Sequence, residues 1–245
     1  MTFALQTKGL SKIFGGIHAV DHLSIDIKKG DVTGIIGPNG SGKTTLTNVL
    51  TGVAKIDGGV VVVGGEKERG AIKAHEIHDL GITRTFQNVR LFEQISVMDN
   101  VLVALTKRDV IGALFEKHNK FHLERAKEVL TRVGLWDKRD AYAKELSYGQ
   151  RKLLEIARAL ATNADIILFD EPFAGLFPEM VKTVSGIIKE LRVGSKTVVL
   201  IEHDMALIRE LCDHVIVLEA GHLLAEGKPE DVLRDPKVIE AYLGA

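Results

Sequence analysis

A single cysteine, Cys212, stands in the whole chain, which excludes an internal disulfide framework and a cysteine-rich metal site and suits a reducing compartment. Neither sign of charge prevails. Thirty-two Lys and Arg face thirty-three Asp and Glu for a net charge of −1, so the basic excess of a protein that coats nucleic acid or an anionic membrane is missing. No nucleic-acid partner is expected. No apolar run approaches the ~18 residues needed to span a bilayer, and Met1–Lys8 lacks a basic segment followed by an apolar one. A cytosolic chain is expected, and any membrane role must come through a partner. Internal repeats, low-complexity tracts and long linkers are absent too. What remains is ordinary soluble usage: 245 residues, 45% hydrophobic and 27% charged, enough for one large α/β domain or two fused lobes with a sizeable core.

The chain opens with sheet: from Phe3 to Ile27 apolar residues tend to alternate with polar ones, ending at Lys29-Gly30-Asp31. Val32–Ile36 is a short apolar strand, followed by a glycine-rich loop and an amphipathic stretch, Lys43–Leu50, with helical spacing. Val60–Val63 and Ile82–Phe86 read as further strands. Between Gln87 and about Leu160 helical signals take over. Ser96-Val-Met-Asp99 has the spacing of a capping box, and Leu123–Val133 is apolar at helical intervals. The stretch 107–122 is mixed, helix or loop. Strong strands return at Ile166–Phe169, Val198–Ile201 and Val215–Leu218, separated by helical patterns, which implies a parallel sheet covered on both faces. Ala220-Gly221 is expected to turn a hairpin into Leu223–Ala225, and short helices are expected after Pro229 and Pro236.

Gly37-Pro38-Asn39-Gly40-Ser41-Gly42-Lys43-Thr44 fills every fixed position of the phosphate-binding loop G-x-x-x-x-G-K-[ST], directly after a strand and before a helix; Thr45 follows within the helix. Glycines let the backbone wrap a polyphosphate with several N–H groups pointing inward, and the helix N-terminus adds positive potential. Lys43 is then expected to bridge the β and γ phosphates, and Thr44 to offer its hydroxyl to Mg²⁺. Asp170 and Glu171 end a buried strand. Successive strand residues face opposite ways unless the chain turns, and Pro172 suggests that it does. Asp170 is expected to hold a water on Mg²⁺, and Glu171 to orient and deprotonate the water that attacks the γ-phosphate.

These parts describe a nucleotide hydrolase without saying which. Leu146-Ser147-Tyr148-Gly149-Gln150 narrows the choice. Ser147 and Gln150 have capping-box spacing at the start of a helical pattern that runs to about Ala161, and a helix start with a hydroxyl and a glycine backbone is also an anion site.

With these residues the chain resembles the ABC transporter ATPases, whose signature Leu-Ser-Gly-Gly-Gln it matches at four of five positions, Tyr148 replacing the first glycine. The resemblance implies Gln87 as the glutamine that joins the core to the helical lobe at the metal and catalytic centre. It also implies His203 as the switch histidine and Phe14 as the aromatic residue stacked on adenine. Ser147, Gly149 and Gln150 would serve the nucleotide held by the opposite subunit. The implied fold is α/β: a P-loop NTPase core with a mostly parallel sheet, an N-terminal antiparallel β subdomain and an inserted helical subdomain. One ABC ATPase domain would fill 1–245, its core in about 1–87 and 161–245 and its helical part in about 88–160.

The wording Phe14-Gly-Gly16, Arg84-Thr-Phe-Gln-Asn-Val-Arg-Leu-Phe92, Glu202-His-Asp-Met205 and Val238–Gly244 is similar to the ATP-binding subunit of branched-chain amino-acid importers. This implies two membrane permease subunits, a second ATP-binding subunit, identical or paralogous, and indirectly an extracytoplasmic binding protein, with ATP and Mg²⁺ as ligands. The permease would dock around Gln87–Asn100, and the chain would work at the cytoplasmic face of the membrane. The sequence departs from that pattern at Phe177, where Asn or Asp is expected in the loop that crosses the subunit interface. Two other classes compete. A soluble ABC protein acting on ribosomes or DNA would carry a second core or coiled-coil arms, for which there is neither room nor heptad run. A small-molecule kinase would have no use for Ser147–Gln150 or His203.

Overall fold

The computed structural model describes residues 2–87, 89–105 and 120–243; most of the mixed stretch 107–122 lies outside them. In chain order the described strands are β1 Phe3–Phe14, β2 Ile17–Lys28, β3 Val32–Ile36, β4 Gly58–Val63, β5 Ile82–Arg84, β6 Ile166–Asp170, β7 Thr197–Ile201, β8 His214–Glu219 and β9 His222–Gly227. The described helices, numbered in chain order here, are α1 Lys43–Leu50, α2 Val97–Leu105, α3 Lys120–Arg132, α4 Tyr148–Ala161, α5 Pro178–Val193, α6 Met205–Leu211, α7 Pro229–Val232 and α8 Pro236–Leu243.

The chain divides into two compact units. The first comprises Met1–Arg84, Asp165–Glu171 and Ile188–Ala245, and the second Thr85–Ala164 and Pro172–Ile187. The first unit holds two sheets. One is antiparallel, in the order β2-β1-β4; the other runs β5-β6-β7-β3-β8-β9, parallel as far as β8, with β9 antiparallel on the edge. Strands β3, β6 and β7 are buried along their whole length, which is why their sequences are continuous apolar runs rather than alternating ones. Leu5, Ile27, Ile35, Leu46, Leu50, Val61, Leu168 and Leu218 pack in one core cluster of this unit. Each such side chain contributes roughly 1.5–3 kcal/mol by leaving water.

Parallel strands point their C-terminal ends to one edge. The loops after β3, β6 and β7 therefore open side by side, the place where open α/β sheets take their ligands.

The β8–β9 hairpin turns at Ala220 and Gly221, with φ of 46° and 85°, both positive as a two-residue hairpin turn requires. The strain at Ala220 is offset by anchoring of the turn: Gly221 N–H donates to the Ser41 carbonyl at 3.1 Å and the Gly221 carbonyl accepts from Asp21 N–H at 3.0 Å.

In the second unit α2, α3 and α4 pack together through Val97, Val101, Ala126, Val129, Leu130, Leu154 and Ala157. Of the capping box expected at Ser96 one half forms, Asp99 N–H donating to Ser96 Oγ at 3.0 Å, while the Asp99 carboxylate accepts from the Ser96 hydroxyl at 2.7 Å rather than from its N–H. Strand β5 ends two residues earlier than the apolar pattern suggested. Phe86 N–H donates to Glu155 Oε1 at 3.1 Å instead of to a neighbouring strand.

Candidate functional site

Gly37 closes β3 with φ 150°, and a Cβ there would lie 2.1 Å from the Leu218 carbonyl; glycine is required by sterics before any ligand is considered. Gly40 and Gly42 follow with φ of 78° and 102°. Gly42 caps α1 with no side-chain partner and no acidic residue in the first turn, so the first-turn amides and the helix dipole face the loop as an anion site. The loop is pinned from within by Ser41 N–H on the Pro38 carbonyl at 3.2 Å.

Lys43 folds back on this loop. Its Nζ donates to the Gly37 carbonyl at 2.7 Å, the Pro38 carbonyl at 2.9 Å and Ser41 Oγ at 3.4 Å. The loop thus holds its cation on its own oxygens, from which phosphate oxygens can draw it. Burial pushes the Lys43 ammonium below its usual range, opposed by the charges of Glu171 and Asp170. Thr44 is exposed and Thr45 half-buried at the start of α1. Pro38 is half-buried, Asn39 and Gly40 exposed.

At the end of β6 the two carboxylates part company. Arg84 Nη2 donates to Asp170 Oδ2 at 2.6 Å, and Arg84 Nη1 to Asn48 Oδ1 at 2.7 Å. Glu171 N–H adds one more rung to the sheet, donating to the Ile201 carbonyl at 3.0 Å, while its φ of 48° swings the side chain out of the strand. The turn inferred from Pro172 is therefore made at Glu171 itself, in a region that bulky residues seldom adopt and that local strain commonly marks. Glu171 Oε1 lies 2.8 Å from His203 Nε2, just beyond β7. The first unit thus gathers Lys43, Asp170, Glu171 and His203 at one sheet edge. Phe14 lies at the end of β1 before the Gly15-Gly16 turn and is 51% exposed, with Lys12 Nζ 4.8 Å from its ring centroid.

The second unit holds the rest. Ser147 caps α4 in a reciprocal box: its Oγ accepts from Gln150 N–H at 3.4 Å, and Gln150 Oε1 accepts from Ser147 N–H at 3.1 Å. Lys138 Nζ also donates to Gln150 Oε1 at 3.2 Å. In this box the Ser147 hydroxyl acts as the acceptor, which leaves its O–H able to donate. Gly149 is buried in the first turn, while Tyr148 is 53% exposed. The Tyr148 ring leans on Gly175, whose φ is 73° and where a Cβ would lie 2.9 Å from Tyr148 Cε1. Phe177, the departure in the loop before α5, is 72% exposed. Gln87 stands in the loop between β5 and α2, whose backbone is held by Glu155. Arg84 and Glu155 carried no signal of their own in the sequence beyond the wording around Gln87 and the helical pattern after Ser147.

The family model for ABC transporters matches residues 20–174, and one for branched-chain amino acid ATP-binding cassette transporters matches 222–245. The high-affinity branched-chain amino acid transport ATP-binding protein LivG of Salmonella typhimurium is 39% identical over 249 residues, covering 98% of this chain and 97% of that protein. BraF of Pseudomonas aeruginosa, of the same description, is equally similar at 39% with the same coverage. A solved nucleotide-free ATP-binding cassette from an ABC transporter superposes with a TM-score of 0.88 at 38% identity over 100% of both chains. A dimeric cassette in a post-hydrolysis state bound to ADP and Pi gives 0.80 at 27% identity, over 92% of this chain and 98% of that one.

Proposed function

The chain belongs to the ABC transporter ATP-binding family, and from that membership we propose that it is the ATPase subunit that energises a membrane importer of branched-chain amino acids. The observation that carries the chemistry is the convergence of Lys43, Asp170, Glu171 and His203 at the edge of one parallel sheet, with Glu171 and His203 2.8 Å apart.

ATP binds with its base on Phe14 and its phosphates in the loop Gly37–Thr44, Lys43 moving from the loop carbonyls to the β and γ phosphates and Thr45 following in α1. The residues assigned to Mg²⁺ would offer it oxygen donors that suit a hard cation, the Thr44 hydroxyl and the Asp170 carboxylate, with the Gln87 amide added on the family resemblance. When bound it neutralises charge on the phosphates. Glu171 accepts the proton of the attacking water, and the contact with His203 Nε2 fixes its carboxylate against the strain of its backbone. Ser147, Gly149 and Gln150 complete the site of a second ATP-binding subunit, so that two chains close around two nucleotides; the dimeric relative bound to ADP and Pi supports this reading.

Two permease subunits receive this motion at the cytoplasmic face, and an extracytoplasmic binding protein delivers the solute. Among the described residues no helix is long and apolar enough to cross a membrane, so the chain's attachment is assigned to the permeases.

The test is phosphate release with no acceptor present, by the chain and by Lys43→Ala, together with identification of the membrane proteins that co-purify. Hydrolysis lost in the variant and a co-purifying permease pair that takes up leucine-like amino acids are expected. Recovery of ribosomes or DNA instead overturns the importer reading.

A further inference from the structure

The buried positions of α4 are mostly apolar, among them Leu153, Leu154, Ile156, Ala157 and Leu160, yet two charged residues lie among them, Lys152 at 3% and Glu155 at 6% exposed. A carboxylate in that setting is costly unless something charged or polar meets it. Besides the nearby charges of Lys152 and Arg158, what meets its oxygen is a loop. Glu155 Oε1 accepts from Phe86 N–H at 3.1 Å and, more weakly, from Arg90 N–H at 3.4 Å. Burial raises the Glu155 carboxyl above its usual range, opposed by those two N–H groups and by the charges of Arg158 and Lys152.

Three residues on, and so on the same face of the helix, Arg158 Nη1 donates to the Arg90 carbonyl, and its guanidinium covers the Phe92 ring at 5.4 Å. The Arg90 peptide is therefore held at both ends, its N–H by Glu155 and its C=O by Arg158. Arg90 in turn lays its guanidinium 4.2 Å from the Phe86 ring centroid, and Asn100 takes over downstream, accepting from Phe92 N–H and donating to the Phe92 carbonyl, each at 3.0 Å. Gln87 lies within this stapled stretch, one residue beyond Phe86.

We propose that Glu155 and Arg158 are positioning residues that fasten the Gln87 loop to the helix whose N-terminus carries Ser147, so that Gln87 and Ser147 are set by one rigid element. The consequence for catalysis rests on the roles given to those two residues under the proposed function. A shift that reaches α4 then reaches Gln87 without any contact to the nucleotide, and the reverse holds. An apolar residue at 155 would satisfy the helix and lose the loop.

The decisive pair is Glu155→Leu and Glu155→Gln in the full chain. Leucine removes the acceptor, while glutamine retains an oxygen for both N–H groups, so rescue by glutamine separates acceptor chemistry from mere packing. In Glu155→Leu kcat for ATP hydrolysis falls about 10²-fold, the cost of misplacing a group near the reacting atoms, while the Kd for ATP measured in EDTA changes less than about threefold. Glu155→Gln regains most of kcat. A Glu155→Leu protein with the kcat of the parent, or a Glu155→Gln protein as impaired as Glu155→Leu, overturns the proposal.

Amide hydrogen exchange in the unaltered protein supplies a readout that needs neither a variant nor hydrolysis. The Phe86 and Arg90 amides should open together with those of α4, and exchange at the rate of an unstructured loop overturns the clamp even if Glu155→Leu fails to fold. A parent chain that releases no phosphate would sink the proposed function, whereas concerted opening of these amides would still support the clamp.

Discussion

Arg84 and Asp170 form an ion pair of 2.6 Å whose side chains are 3% and 2% exposed. Asp170 ends β6, in the same unit as the phosphate loop. In that position a carboxylate left uncompensated would be expensive, and Arg84 is its standing counter-charge, oriented in turn by Asn48 and Thr51 of α1 and the residue after it. Strand β5, helix α1 and strand β6 are thereby tied at one point.

Removing one partner of such a pair leaves a buried charge without its ion-pair partner. Arg84→Met should therefore cost about 3–5 kcal/mol of stability. Asp170→Asn in the same chain removes the orphaned charge and should recover most of that loss. Urea unfolding of the parent, the single variant and the double variant checks it. Equal stability of the single and double variants would mean that the pair is not what the substitution broke.

That pair also marks the limit of what could be read in the sequence. Local patterns were legible. The strand ends at Ile36 and Asp170, the Ser147 capping box, the Ser96 half of its own box and the Ala220-Gly221 turn rest on residues a few positions apart, and each forms. The continuous apolar runs of β3, β6 and β7 likewise announced a sheet buried on both faces. Arg84 with Asp170, and Glu155 with Phe86, are joined only by the fold, across 86 and 69 residues. A charged residue inside an apolar pattern reads as a solvated one until its partner is known. The turn at the end of β6 was legible from Pro172, but not that Glu171 makes it with a positive φ while its N–H meets the Ile201 carbonyl and its carboxylate meets His203.

Cys212 should be inert in the native protein. Burial, with the charges of Asp213 and Glu202 adding to it, pushes the thiol from an ordinary 9.0 up to about 12. The thiolate that disulfide reagents require is then scarce at pH 8. Labelling should proceed no faster than opening of the fold, and rapid labelling of the folded chain would contradict the burial. The linkage has a definite sign. Because the folded state keeps the proton that the unfolded state gives up, this contribution to stability is intact below about pH 9 and is lost as pH rises toward about 12, so alkaline unfolding should be partly relieved by Cys212→Ala.

Ser147→Arg should separate binding from turnover. The hydroxyl lies at the open N-terminus of α4, in the other compact unit from Lys43, and in the proposed dimer it serves the nucleotide of the opposite chain. ATP affinity of the single chain should stay within about twofold of the parent, since none of the loop contacts changes, while hydrolysis falls below detection. Mixing this variant with Lys43→Ala should restore some hydrolysis, because one composite site then has the Lys43 of the first variant and the Ser147 of the second. Mixed dimers that form and remain inactive would count against shared sites, given that one intact site suffices for turnover.

Glu171→Gln gives the sharpest test. Glutamine keeps the shape of the side chain and can hold the attacking water, but it has no charged oxygen to take that water's proton. The hydrogen bond to His203 Nε2, now 2.8 Å from Glu171 Oε1, can persist through the amide oxygen, so the strained turn need not relax. Chemistry should stop with ATP affinity preserved. The γ-phosphate is the group that Ser147 and Gly149 meet across the proposed interface through charge-assisted hydrogen bonds. A protein that cannot remove it should accumulate as an ATP-bound dimer, while ADP, which lacks that group, should leave it monomeric. Size-exclusion chromatography with light scattering in ATP, with Mg²⁺ withheld as a second block on hydrolysis, measures the outcome directly. A monomeric profile at high ATP and high protein concentration would defeat closure between two copies of this chain. Adding a paralogous ATP-binding subunit to the same sample then decides the remaining case: a dimer that appears only on its addition assigns the second composite half to that partner.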